Sequence, residues 1–233
     1  MEKVIMKKII VICVFSLVAN FALFAQKQVV QSLHFSAPIK AQVWEGNKND
    51  FYYKDCIGNE KNNDVLFAGV DFNWNRMTVN ESGFSFLIGL GLGYTIENSN
   101  DSDALDGRRG FDSEVKIGWG VAPIRSEKMI FALHGFIAFN YKFLSDTEDV
   151  YYDGYKSSID YDIPCFTSEI GIDAVFIYHL SERFGLFSGL DISTALFGFS
   201  TVHMSEDYFS DTFPMDISGK INAVPRFGFC WIF

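Results

Sequence analysis

His203, Ser205 and a choice of carboxylates at Glu206, Asp207 or Asp216 stand close together near the C-terminal end of the chain. A hydroxyl, an imidazole and an acid are the parts of a nucleophile, its base and an orienting group. They lie in a polar stretch, where such residues meet by chance, so catalysis is the remote alternative and no enzyme is expected. A second constellation, "DSDALDG", offers Asp101, Asp103, Asp106 and Gly107 to a cation. It is one residue out of the register of a calcium loop. The four His are scattered, which suggests no zinc site. Neither a metal nor a cofactor is expected, and "GLGLG" (89–93) is no dinucleotide loop because no helix follows it.

More telling are the charges set into apolar stretches: Lys40, Asp71, Asp112, Glu114, Lys116, His134, Lys142, Glu169, Asp173, Asp191, Lys220 and Arg226. The segments that carry them must be strands, because apolar and polar residues alternate one by one. In "LFAGVDFNW", Leu66, Ala68, Val70, Phe72 and Trp74 oppose Gly69, Asp71 and Asn73. In "SEVKIGWGV", Val115, Ile117, Trp119 and Val121 oppose Glu114, Lys116, Gly118 and Gly120. The same rule runs through "LHFSAPIKAQVW", "FSFLIGLGLGY", "FALHGFIAFNYKF", "FTSEIGIDAVFIYHL", "FGLFSGLDISTAL" and "KINAVPRFGFCWIF". Each of the eight is long enough for a tilted membrane strand of about 9–11 residues.

Composition and the N-terminus place these strands in lipid. Aromatic residues make up 17% of the chain, with 25 Phe, and no stretch after residue 25 resembles a membrane helix. "MEKVIMKKIIVICVFSLVANFALFAQ" has two lysines, a short apolar run and Ala25 before Gln26. That is the layout of a cleaved signal peptide over 1–25, with an uncleaved anchor as the other reading. An exported chain rich in apolar surface can live in lipid by closing a sheet, which satisfies every backbone group. The expectation is an all-β, eight-stranded antiparallel up-and-down transmembrane barrel over 26–233. Connections alternate without exception: short at "NRMTVNES", "RSEK" and "SER", long over 45–63, 95–110, 144–163 and 198–216. This implies three periplasmic turns and four extracellular loops, with both termini on the periplasmic side.

The ending "VPRFGFCWIF" puts Phe227, Phe229, Trp231 and Phe233 on one face. The whole pattern resembles the small outer-membrane barrels of the OmpX, OmpW and OmpA-transmembrane-domain type, across nearly all of 26–233. Within that resemblance Phe229, Trp231 and Phe233 look like the C-terminal signal read by the barrel-assembly machinery. The spacing of His203 and Ser205 vaguely resembles lipid A deacylase barrels, but Glu206 and Asp207 replace the Asn and Ala expected after the Ser.

Such a barrel is just wide enough to be filled by its own side chains. Asp71, Glu114, Lys116, Asp173, Asp191 and Arg226 are therefore expected to form a self-neutralising plug, with an ion path as the other reading. The stretch 144–163 holds six acids, one Lys and the Tyr cluster 151, 152, 155 and 161. Tyr151, Tyr152, Asp153 and Tyr155 are the candidate interaction surface, since Tyr supplies area at low entropy cost. The net charge of −10 disfavours nucleic acid. Cys56 and Cys165 share the loop face and could be bridged or free, while Cys230 lies at the other end. The sequence thus points to a bacterial outer-membrane protein exposing an acidic surface for a protein or ligand, with lipid and the assembly machinery as partners. A narrow pore for small solutes is the alternative.

Overall fold

The computed structural model of the chain describes residues 27–46, 62–99, 108–152, 155–206 and 209–233. The expected leader, Cys56, the "DSDALDG" aspartates, Asp153 and Asp207 lie outside the described residues. So do the side chains of Tyr151, Tyr152, Tyr155 and Glu206, whose backbone is in strand.

Nine strands follow one another: β1 (Lys27–Ser36), β2 (Ile39–Gly46), β3 (Asn62–Asn80), β4 (Phe84–Ser99), β5 (Arg109–Arg125), β6 (Met129–Tyr152), β7 (Tyr155–His179), β8 (Phe184–Glu206) and β9 (Phe209–Ile232). Both β1 and β2 pair with β3 on one side and β9 on the other. They are two lengths of a single wall strand, interrupted at Ala37 and Pro38, because proline brings no N–H to the ladder. The neighbours bridge the gap: Ala37 N donates to Pro225 O at 3.1 Å and Gly69 N to Pro38 O at 3.2 Å. All pairings are antiparallel, and the ring closes with eight wall positions. The last seam is held to its end, with Phe233 N donating to Val29 O at 2.8 Å and Val29 N to Phe233 O at 3.1 Å.

Closure removes the sheet edges, and the alternation does the rest. Outward positions of β4 stay apolar from Phe84 to Ile96, while Ser85, Leu87, Gly89, Gly91 and Thr95 are buried in the bore. That belt covers about 40 Å of strand, or about 30 Å of axis at a usual tilt near 40°. The turns are tighter than the sequence suggests. β3 runs to Asn80, so only 81–83 turn, and Gly83 takes the left-handed conformation (φ 89°) that a side chain would resist. Arg125 Nη1 locks this turn by donating to the carbonyls of Asn80 at 2.9 Å and Glu81 at 2.8 Å.

At the other end the strands outrun the belt, and much of what reads as loop 144–163 and 198–216 is wall. There the pattern inverts. On β7, Ser158, Asp160 and Asp162 face outward, with Tyr161 and Ile163 buried inside. On β8 and β9, Thr201, His203, Asp216 and Ser218 face outward over Val202, Met204, Met215 and Ile217. The strands keep their parity; what changes is the medium outside, from apolar to water. Tyr161 is consequently part of an internal core instead of a surface handle.

Candidate functional site

The bore is filled in three layers. At the turn end Val30, Met77, Val79, Leu87, Ile130, Phe187 and Ile232 form an apolar base with their neighbours. At the long end Trp44, Val65, Phe67, Leu144, Tyr161, Ile163, Val202 and Met215 form an apolar cap. Charged and amide side chains occupy the level between them, almost all buried.

Two nodes organise that middle layer. In the first, Arg226 contacts Asp173 and also Asp191, the latter at 2.7 Å, and Lys116 is paired with Asp191 and, at 3.2 Å, with Glu114. Asn75, with its amide turned to satisfy both ends, accepts from Arg226 Nη1 at 2.9 Å and donates to Trp74 O at 3.0 Å. Strands β3, β5, β7, β8 and β9 are thus tied across the bore. His134 meets Ser85 Oγ at 2.8 Å beside this node, and His34 stacks on Phe187 with centroids 4.4 Å apart.

In the second node Lys40 Nζ donates to Asn140 Oδ1 at 3.0 Å and pairs with Glu169 at 3.5 Å. Glu169 accepts from Asn140 at 2.9 Å and from Ser193 Oγ at 2.7 Å. Asp71 accepts from Ser36 Oγ at 3.4 Å and leans over Gly93, where an added Cβ would collide with its Oδ1. The small residue is required there by the side chain next door. Lys142 lies over the Phe67 ring at 3.3 Å, where a cation is attracted to the ring face. Arg108 and Glu97 make a further buried pair at 3.3 Å against the cap. Pairs this buried survive because mutual attraction and the hydrogen bonds around them offset the cost of taking both charges out of water.

Asp71, Glu114, Lys116, Asp173, Asp191 and Arg226 are all placed in the bore, with Asp71 in the second node and the other five in the first. Lys220 is a correction. Alternation puts it inward, yet it is exposed on the outer face. Register slips between Lys40 and Gln42 of β2, which face Asn222 and Gly219 of β9. The extra residue of this bulge turns Lys220 out alongside Ile221. The polar groups that the charge network read from the sequence leaves out are Asn75, Asn140, Ser193 and the Glu97–Arg108 pair. Asn140 and Ser193 have the right parity; Glu97 and Arg108 fall where the sequence reads as loop.

The remaining candidates are not assembled among the described residues. His203 is exposed, its Nδ1 meets Thr212 Oγ1 at 2.9 Å, and Asp216 lies four residues further along β9. Cys165 is a buried free thiol against Ser200 Oγ at 3.3 Å, and Cys230 is buried and free near the other end. Phe229 and Trp231 face outward and flank Phe184, with centroids 5.6 and 6.1 Å away.

No protein-family model matches the sequence, and no curated protein does. Solved structures do. The outer membrane protein OprG from Pseudomonas aeruginosa aligns over 88% of this chain and 95% of its own, at 10% identity and a TM-score of 0.50. The outer membrane protease OmpT from Escherichia coli matches at 10% identity and a TM-score of 0.43, over 90% of this chain and 97% of its own. A major outer membrane protein from Thermus thermophilus matches at 11% identity and a TM-score of 0.45, over 86% of this chain and 99% of its own. With the closed ring, the apolar outer belt and the alignment to OprG together, the chain has the fold of an outer-membrane β-barrel.

Proposed function

We propose that the protein is a solute-tight barrel of the bacterial outer membrane that acts as a surface structural and interaction protein, without catalysis. The observation that carries this reading is the filled bore, with an apolar layer at each end and ion pairs between. The interaction surface is the part of the wall that outruns the belt, polar and acidic outside and apolar inside. Its β6–β7 hairpin, whose strands end at Tyr152 and resume at Tyr155, is the candidate contact for an extracellular protein or ligand, through the proposed residues Tyr151, Tyr152, Asp153 and Tyr155; an acidic crown disfavours nucleic acid. Lipid surrounds the belt, and the ending Phe229, Trp231 and Phe233 serves the assembly machinery.

The purified protein in planar bilayers should give no conductance steps above background. An epitope tag at Asp153 should be labelled on intact cells, and one in "RSEK" (125–128) should not. A second reading, a narrow pore, is favoured by buried polar atoms without hydrogen-bond partners, among them Asp71 Oδ1, Lys142 Nζ and Asn222 Oδ1. Regular conductance steps whose ion preference changes in Arg226→Met would establish the pore instead.

A further inference from the structure

One charged side chain stands on the outer wall in the turn half of the belt, among the described residues. Arg76 of β3 is exposed and outward, with Trp74 two residues above it and Thr78 two below. Its side chain makes no hydrogen bond or ion pair with any described residue. In a barrel a lipid-facing Arg is costly near the bilayer midplane and costs little near the interface. An ionisable group on such a wall is a candidate site whose partner has to be named.

Its neighbours set the level at which it lies. Gln31 of β1 is directly opposite Arg76 in the ladder, and Trp231 of β9 is directly opposite Gln31. Trp74 lies opposite Leu33 in the same pair of strands, and Trp119 of β5 faces outward on the same half. Tryptophan gathers where acyl chains give way to headgroups. Trp231, opposite Gln31, and Trp119, opposite Phe86, lie toward that boundary, whereas Trp74 pairs with Leu90 in the middle of the belt; Arg76, paired with Ile88, lies between the two levels. Directly opposed residues have Cβ atoms about 5 Å apart, so the guanidinium and the Gln31 amide can reach one ligand. The guanidinium fork matches two phosphate oxygens, and the amide adds a third donor.

We propose that Arg76 and Gln31, between Trp74 and Trp231, bind the phosphate of an anionic glycerophospholipid in the leaflet at the turn end. This rests on the reading that the belt spans a membrane with its turns in the phospholipid leaflet. The site fixes both the depth and the rotational setting of this seam in the bilayer.

The test is native mass spectrometry of the purified barrel released from detergent containing equal phosphatidylglycerol and phosphatidylcholine. The unaltered protein should retain phosphatidylglycerol selectively. Arg76→Gln should lower that retention about tenfold, Gln31→Leu should lower it less, and Arg76→Lys should restore part of it, as a point charge without the fork. Lys220→Gln, which removes a base from the outer wall elsewhere, should change nothing. Heat-modifiable gel mobility of each variant verifies that it is folded. Equal retention by the folded Arg76→Gln protein, or equal loss with Lys220→Gln, overturns the site. Reversed tag labelling at Asp153 and 125–128 would sink the orientation alone, because lipid retention in detergent does not depend on it.

Discussion

Arg226 is the residue on which the bore turns. It is buried, it touches both Asp173 and Asp191, and its Nη1 donates to Asn75. In Arg226→Met an apolar stem stays, while Asp173 loses its base and Asp191 keeps only Lys116. Breaking a buried pair this way costs about 3–5 kcal/mol. Urea unfolding in lipid vesicles should report a loss of that order; an unchanged midpoint would mean that water already screens the site. The exposed hairpin gives the contrasting case. Lys156 Nζ donates to Asp149 Oδ2 at 2.8 Å and Ser158 Oγ to Oδ1 at 2.8 Å, and these bonds hold the Asp149 carboxyl below its usual range. A depressed carboxylate contributes stability above its unfolded pKa and loses it as pH falls through the lowered value. Protection of the amides at 147–158, taken relative to their intrinsic exchange rates, should therefore fall on acidification below the ordinary Asp range, while protection in the belt does not. In Asp149→Asn the acid dependence should vanish. The effect is small, because surface pairs are worth little.

At the scale of elements, the last strand and the outer extension have separable roles. Deleting Phe233 removes an outward ring and both backbone bonds to Val29 that complete the seam. The amount of folded barrel recovered from outer membranes should fall several-fold, and a normal yield would contradict the role given to that ending. The extension should fail differently. Ile163 is fully buried among Trp44, Tyr161 and Met215 in the apolar cap. Ile163→Asp places an unpaired charge there, which a core does not tolerate. Protease should then cut the extension, between 144 and 163, and leave a protected fragment spanning the belt. Loss of the whole barrel would show that cap and belt fold as one unit. Two strand irregularities mark the transition between these regions: the bulge near Lys220, and another in β8 where Ser168 faces Phe197 but Glu169 faces Ala195. Each sets two consecutive residues outward, Lys220 with Ile221 and Leu196 with Phe197.

For the molecule as a whole, the strands are hydrogen-bonded in a ring and the apolar surface faces out, so water is the wrong solvent for the folded state. The protein should fold only with detergent or lipid present, show β-type circular dichroism, and run faster on a gel unheated than boiled. A water-soluble monomer with full secondary structure would overturn the barrel. The same arrangement explains why nearly all the buried polarity sits at one level. Above and below the charged nodes the bore is apolar, so the ions inside are satisfied by one another and by the buried amides and hydroxyls beside them. Stability of the unmodified barrel should accordingly depend little on salt, since buried pairs are screened far less than exposed ones.

Alternation in the sequence was enough to specify strands, their number around the ring and the face most side chains take, because side-chain direction on a regular strand has period two. That is why Asp71, Lys116, Asp173 and Arg226 could be assigned to the interior from their own segments. Which acid meets which base was not legible: Arg226 reaches Asp173 and Asp191 only through the register of β7, β8 and β9. Lys220 went wrong for the same reason, since one extra residue against β2 reverses parity and leaves no mark in composition. The run "SIDYDI" (158–163) already alternates, but its outward residues, Ser158, Asp160 and Asp162, are polar and its inward ones apolar, so a search for apolar-out strands reads it as loop. Only the closed wall shows that these residues continue the same strands into water. The local chain determined face and period; contacts between distant strands decided pairing, bulges and the point where the pattern inverts.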